Sequence, residues 1–435
     1  MADSPGADTG ATPAKRPLRV LIGCDTFAPD VNGAAKFAER LAAGLVARGH
    51  DVHVVAPAAS RKHGSWIEVH EGQPMMVHRL RSWRWYPHPW LRFALPWRIE
   101  ANGRKLVASI KPDVVHFQSH IVVGRGLSKA AIEHGIRLIG TNHFMPDNAV
   151  QFTLIPKWFI PTAIKMLWAA ADRSFRRAEA VTTPTRRAAA FLEAHTSLNQ
   201  VHAISCGIDM RNYTPSFTPR TENRVVFVGR VEEEKKLDVL LRAIALMDPK
   251  LDVKIEIVGD GEHRKALENL AVELGIRSNV HFAGRVSDED LRAALTRASV
   301  FAIASIAELQ SIATMEAMAS GLPIVAADAM ALPHLVHHGE NGFLFTPGDS
   351  AELAARLTEV LTLPEDEYLA MKNESLRIVE AHDIERTLET FEGLYRGEIV
   401  TDPVTEVPRR SASARLKAIR GQATDFSRRI RAGRS

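Results

Sequence analysis

Cysteine is nearly absent. Cys24 and Cys206 are the only two in 435 residues, too few for a disulfide framework and without the paired spacing of a zinc site. A reducing compartment, and so a cytoplasmic protein, is the expectation. No uncharged apolar run approaches the ~18 residues that cross a bilayer. Residues 1–16 are mostly small residues and proline with one Lys-Arg pair, and lack the apolar core of a secretion signal; they are expected to be disordered. H-E-x-x-H is missing, so no metal site is expected. What remains is 46% hydrophobic and 24% charged, the balance of an ordinary globular chain long enough for two domains with sizeable cores.

The apolar pattern divides the chain in two. Residues 18–22 read as a buried strand, 34–48 as a helix closed by Gly49, and 51–56 as the next strand. Strand, glycine-containing loop, helix and strand make a βαβ unit and predict a parallel sheet. Runs at 111–116, 136–140, 179–184 and 201–204 continue it. After a Pro/Thr-rich linker at 209–221 the pattern restarts, with strands at 224–228, 253–258 and 280–283 and helices at 237–247 and 263–274.

The most informative stretch runs from Ala304 to Ala327. A buried strand at 300–304 leads through small and polar residues into a helix reaching Ser320, then a Gly-Leu-Pro stop and a second strand at 324–327. Glu308 falls on the loop at the carboxyl end of the first strand and Glu316 inside the helix. A helix N-terminus above a parallel sheet favours an anionic ligand. Two carboxylates beside it suit a ligand with hydroxyls as well as phosphates, such as a nucleotide sugar. Two glutamates at this spacing would by themselves equally describe a solvated helix face.

The full string S-x-x-E-x-x-x-x-x-x-x-E-A-M-A-x-G-x-P-x-V-A, from Ser305 to Ala326, resembles the donor-binding signature of the retaining family-4 glycosyltransferases. The resemblance covers roughly residues 18–396. It implies an α/β fold of GT-B type, with two Rossmann-like, doubly wound parallel-sheet domains facing across a cleft. The acceptor domain would span 17–210, with a returning helix at about 383–396, and the nucleotide-sugar domain 211–382. It further implies that Glu308 contacts donor-sugar hydroxyls and Glu316 the ribose. Gly229, Leu309, Gln310, Ser311 and Ile312 would contact the donor, although the family commonly has glycine where Ser311 stands. Val228 to Leu241 matches G-R-x-x-x-x-K-x-x-x-x-L-L, which assigns Arg230 and Lys235 to the donor phosphates. Lys236 takes the place of the usual glycine and leaves Lys235 or Lys236 as the alternatives. Cations there would neutralise the leaving diphosphate, the main electrostatic task of sugar transfer.

Gly33 resembles the glycine that approaches the donor phosphate from the first domain, and Gly259-Asp-Gly261 more loosely resembles a phosphate-side turn. His143, in Thr-Asn-His, matches a histidine beside the reacting centre. His116, His120 and Arg285 are further cleft candidates from their positions after strands. No cofactor is implied, since a UDP- or GDP-hexose is the donor substrate.

The net charge of +4 is unevenly spread. Residues 409–435 carry nine basic groups against Asp425 alone, leaving the other 408 residues at −4. In that tail, from 397 on, Leu416, Ile419, Ala423, Phe426 and Ile430 form one apolar seam if the segment is helical. Trp83, Trp85, Trp90 and Trp97, four of seven tryptophans, lie among five arginines. Both segments point to an anionic membrane surface, although a core-packing loop would also hold such tryptophans. Nucleic acid is not expected as a partner, because the tail has no nucleic-acid-binding fold. The expectation is therefore a hexosyltransferase, for glucose or mannose, attached to the inner face of the cell membrane. Its acceptor would be a lipid such as diacylglycerol or a glycolipid, with an inositol phosphate or soluble glycan as the alternative.

Overall fold

The computed structural model describes residues 16–400 except Val31, 85–91 and 146–155. The start of the chain, the tail from 401 onward, Trp85 and Trp90 lie outside the described residues.

The first domain contains Arg19–Gly23 (β1), Asp51–Pro57 (β2), Gly64–His70 (β3), Gln73–Leu80 (β4), Ser82–Arg84 (β5), Arg92–Ala94 (β6), Val114–Phe117 (β7), Arg137–Thr141 (β8), Ala180–Thr183 (β9) and Val201–Ala203 (β10). Eight of these form one sheet in the order β10-β9-β8-β7-β1-β2-β4-β3, with β5 and β6 paired separately. Every pairing within the eight-stranded sheet is parallel except that of the edge strand β3 with β4, and the β5–β6 pair is antiparallel. The second domain contributes Arg224–Val228 (β11), Lys254–Val258 (β12), Val280–Gly284 (β13), Val300–Ile303 (β14), Ile324–Ala327 (β15) and Gly342–Phe345 (β16), in the order β13-β12-β11-β14-β15-β16 and wholly parallel. Central strands such as β11 and β14 are buried on both faces. They therefore read in sequence as unbroken Val, Ile and Phe runs, each such side chain contributing about 1.5–3 kcal/mol on burial.

Both sheets reverse their winding at one strand. β1 lies between β7 and β2, and β11 between β12 and β14. Loops leaving the carboxyl ends of the strands at such a reversal diverge to opposite faces and open a crevice. In the second domain those loops are 229–236 and 304–311, which hold Arg230, Lys235 and Glu308. In the first they are 24–32 and 118–122, which precede Gly33 and include His120.

Two segments join the domains, and they run side by side. Ile208 bridges Asp383 in parallel, with Ile208 N–H donating to His382 O and Ile384 N–H to Ile208 O. The helix Ile384–Arg396 then lies on the first domain. Gly44 on the helix Gly33–Ala47 makes this contact close, because a Cβ there would meet Leu388 at 2.6 Å. Arg48 pairs with Glu385 and Glu392, and Arg137 donates to Leu394 O at 2.8 Å.

Candidate donor site

The loop after β11 is built by backbone economy. Gly229 N–H donates to Val258 O and Val231 N–H to Asp260 O, both at 3.0 Å, so this loop lies directly on residues 259–261. A Cβ on Gly259 would stand 1.9 Å from the Gly229 carbonyl. Close packing thus explains the glycines of Gly259-Asp-Gly261 without any ligand. The chain next makes one 3-10 turn, Glu233–Lys235, and Lys236 adopts a left-handed conformation with φ 49°. That conformation accounts for glycine being usual here. It also sorts the two lysines. Lys235 Nζ lies 2.5 Å from Glu308 Oε1 with its side chain 14% exposed, whereas Lys236 points out to Glu233 at 4.0 Å.

Arg230 Nη2 bonds Glu234 Oε1 at 2.7 Å, and Lys235 Nζ lies 3.9 Å from the same oxygen. Glu234 therefore sits between the two cations. Sequence reasoning passed over it because an acidic run beside lysines looks like a solvated face. Its neighbours Ser305 and Ile306 both reach its carbonyl, which ties the loop after β14 to the loop after β11.

Glu308 and Glu316 flank the start of the helix Ile312–Ala319. Ser311 is the N-cap, its Oγ accepting from Thr314 N–H at 3.3 Å, with φ −95°. Any residue adopts that backbone, so serine in place of glycine introduces no strain, and its hydroxyl caps a helix end. Ile312 faces Gly33 across the cleft, its Cδ1 being 3.8 Å from where a Gly33 Cβ would stand. Leu309 O accepts from Thr185 Oγ1 of the first domain at 3.0 Å. The Gln310 side chain also reaches across the domain boundary, accepting from Cys206 N–H at 2.7 Å and donating to Ser205 Oγ at 3.0 Å. Gln310 thus seals the domain crossing with its side chain.

On the first-domain side, His143 follows β8 and its Nε2 lies 3.0 Å from Gln118 Oε1. Gln118 as acceptor places the proton on Nε2 and leaves Nδ1 to receive a hydroxyl hydrogen. No sequence motif marked Gln118; only the packing of β7 beside β8 brings it there. His116 does not reach the cleft. It is completely buried, Nδ1 held by the Tyr395 hydroxyl and Nε2 by Thr141 Oγ1, both at 2.7 Å, and serves to dock the last helix. His120 is buried between Phe144 and Phe175 with neither ring nitrogen hydrogen-bonded. Arg285 is exposed just past the edge strand β13.

Burial pushes His143 and His120 down to about 4 and His116 and His382 to about 3, with neighbouring histidines adding to the last two. An unfolded chain takes up these protons near pH 6.5, so it binds more protons than the native state between about pH 6.5 and 4. Stability is accordingly complete above pH 6.5 and lost as pH falls through that window. We expect Tm to drop between pH 7 and 5, and less steeply in His120→Phe. An unchanged slope in that variant would show that His120 does not contribute.

Two doubly wound domains, with cations and carboxylates gathered at the switch point of the second, define a GT-B glycosyltransferase. The comparisons agree. Residues 31–212 match the family described as "Glycosyltransferase Family 4" and 212–376 "Glycosyl transferases group 1". The chain belongs to the family-4 glycosyltransferases. It is 29% identical over 355 residues to a GDP-mannose-dependent α-mannosyltransferase of Mycolicibacterium smegmatis, covering 79% of this chain and 89% of that one. The match to sulfoquinovosyl transferase SQD2 of Arabidopsis thaliana is 28% identical over 68% of this chain, and spans only 59% of that relative's length. Among solved structures, sucrose-phosphate synthase of Thermosynechococcus elongatus superposes with TM-score 0.73 at 20% identity, covering 88% of this chain and 99% of its own. Anabaena HepE in complex with UDP-glucose gives 0.68 at 20% identity, covering 87% and 100%.

Proposed function

We propose that this glycosyltransferase moves a hexose from a nucleotide sugar to a lipid acceptor at a membrane surface, with retention of the α configuration. The observation that carries the donor half is the cluster of Arg230, Glu234, Lys235 and Glu308 on the two loops at the switch point, with Glu316 on the helix that the second loop leads into. Arg230 and Lys235 take the diphosphate, exchanging their bonds to Glu234 and Glu308 for bonds to phosphate oxygens. Gly33 and the first-turn amides of Ile312–Ala319 close on the phosphates from either side. Glu308 receives sugar hydroxyls and Glu316 ribose hydroxyls. No carboxylate is assigned as a nucleophile, so the acceptor oxygen attacks from the leaving-group face and the departing phosphate takes its proton. An NMR spectrum showing a β-linked product would overturn retention. A thermal-shift screen of UDP- and GDP-sugars tests the donor class, and stabilisation by none would sink it.

The acceptor half is supported by a cavity of about 610 Å³ between the end of β4 and the helix Pro96–Ile110. Arg81, Arg98, Lys105 and His63 line it beside Leu95 and Trp97, and no carboxylate does. Because β4 runs parallel to β1, this cavity opens on the same edge of the sheet as the cleft loops. Such a lining suits a phosphate headgroup joined to an acyl body. Trp97 is 72% exposed, and Trp83 lies half-buried under the Arg81 guanidinium. Trp158 and Met166, which sequence reasoning did not single out, are also exposed. Among the described residues no helix is long and apolar enough to cross a membrane; the attachment proposed is peripheral, at the cytoplasmic face.

Basic groups near an anionic surface contribute about 1 kcal/mol each. Arg98→Glu/Lys105→Glu should therefore lower co-sedimentation with anionic liposomes by roughly tenfold or more while nucleotide binding persists. A parent protein that ignores anionic liposomes would instead move a soluble acceptor into first place.

A further inference from the structure

Arg40 lies on the helix Gly33–Ala47 of the first domain and Glu316 on the donor helix of the second, 276 positions later in the chain. Arg40 Nη2 donates to Glu316 Oε1 at 2.9 Å, with the two side chains 15% and 11% exposed. The other guanidinium nitrogen, Nη1, is buried and has no hydrogen-bond partner. Tyr213, in the segment that crosses between domains, stands beside both, and burial together with the Glu316 carboxylate pushes its hydroxyl well up. Three separate parts of the chain thus meet at one ion pair. A buried guanidinium that leaves a donor unused is costly unless something else supplies the acceptor.

We propose that Arg40 is a donor-positioning residue of the first domain: Nη2 orients the Glu316 carboxylate toward the ribose. This rests on the reading of Glu316 as the ribose carboxylate. A carboxylate offers two oxygens, and holding one fixes the plane of the other. Hydrogen bonds from the ribose to an oriented, ionised acceptor are the strong, directional kind. The same pair spans the domain boundary, so it forms only with the domains together. Nucleotide bound at Glu316 then favours the closed arrangement through Arg40, and closure favours nucleotide by the same factor. Arg40 contacts no reacting atom on this reading; its effect falls on binding.

The test is calorimetric titration of the full-length protein with UDP and with GDP, for the parent, Arg40→Gln, Arg40→Lys, Glu316→Gln and the Arg40→Gln/Glu316→Gln double variant. Arg40→Gln should weaken the preferred nucleotide by about tenfold or more, within the usual range of coupling between sites. The donor KM should rise accordingly, with kcat falling less than KM rises. Arg40→Lys should recover part of the affinity, and the double variant should bind no worse than the weaker single one. Small-angle scattering should show nucleotide contracting the parent but not Arg40→Gln. Should Arg40→Gln fail to fold, Arg40→Lys decides, and parent-like affinity in it overturns the inference. So does unchanged or tighter binding by Arg40→Gln while Glu316→Gln binds weakly; Glu316 then keeps its role. If Glu316→Gln itself binds nucleotide normally, the ribose assignment fails and the inference falls with it.

Discussion

Lys235→Ala is expected to lower kcat by about two to three orders of magnitude, the scale on which a preorganised electrostatic group acts in a water-poor site. The Lys235 side chain is 14% exposed and touches Glu308. Its charge is therefore poorly screened, and in the proposed donor site it faces the leaving diphosphate. Removal also leaves Glu308 without its cation, so the loop after β14 loses an anchor at the same time. Arg230→Ala should follow the same pattern, since Glu234 is shared between the two cations. Lys236→Gly is the control. It removes a side chain directed at Glu233 and restores the residue type that a φ of 49° favours, so steady-state kinetics should stay near the parent's. Full activity in both Arg230→Ala and Lys235→Ala would mean that the phosphates lie elsewhere.

Glu308→Gln and Glu316→Gln should separate rate from affinity. Glutamine keeps the shape but donates where the carboxylate accepted, and it no longer pairs with Lys235. Charge that develops on the sugar ring is felt most by the group on the sugar, so Glu308→Gln should cut kcat by roughly a hundredfold or more. Ribose is held alike before and during transfer. Glu316→Gln should therefore raise donor KM by about ten- to a hundredfold and leave kcat largely intact. Initial-rate kinetics over a range of donor concentrations distinguish the two. The reverse outcome, with Glu316 setting rate and Glu308 affinity alone, would exchange the assignments.

The buried centre of each sheet was legible in sequence because both faces of a central parallel strand are covered. Residues 224–228 and 324–327 read as apolar runs and occupy β11 and β15 with the same limits. The hairpin of β3 and β4 escaped notice because the edge strand Gly64–His70 alternates exposed and only partly buried residues, with Ile67 and Val69 on the exposed side, and such a pattern carries little signal. The Glu308 and Lys235 motifs were legible for another reason. Each is contiguous, and the backbone of one loop places its residues.

Sequence alone thus determined two successive βαβ halves, through local periodicity, and the string in the second that resembles a donor signature, since a single strand-loop-helix unit carries it. The doubly wound order of the strands came from the fold. Sequence could not decide which of two adjacent lysines meets Glu308. That followed from Lys236 turning left-handed and sending its neighbour to Glu308. Nor could it show that His116 is a docking residue, that Gln118 stands behind His143, or that Arg40 meets Glu316. Those pairings join residues from different strands, and in the last case different domains. They exist only once the sheets have stacked and the final helix has crossed back, because proximity between distant segments is a property of packing and not of any one stretch of chain.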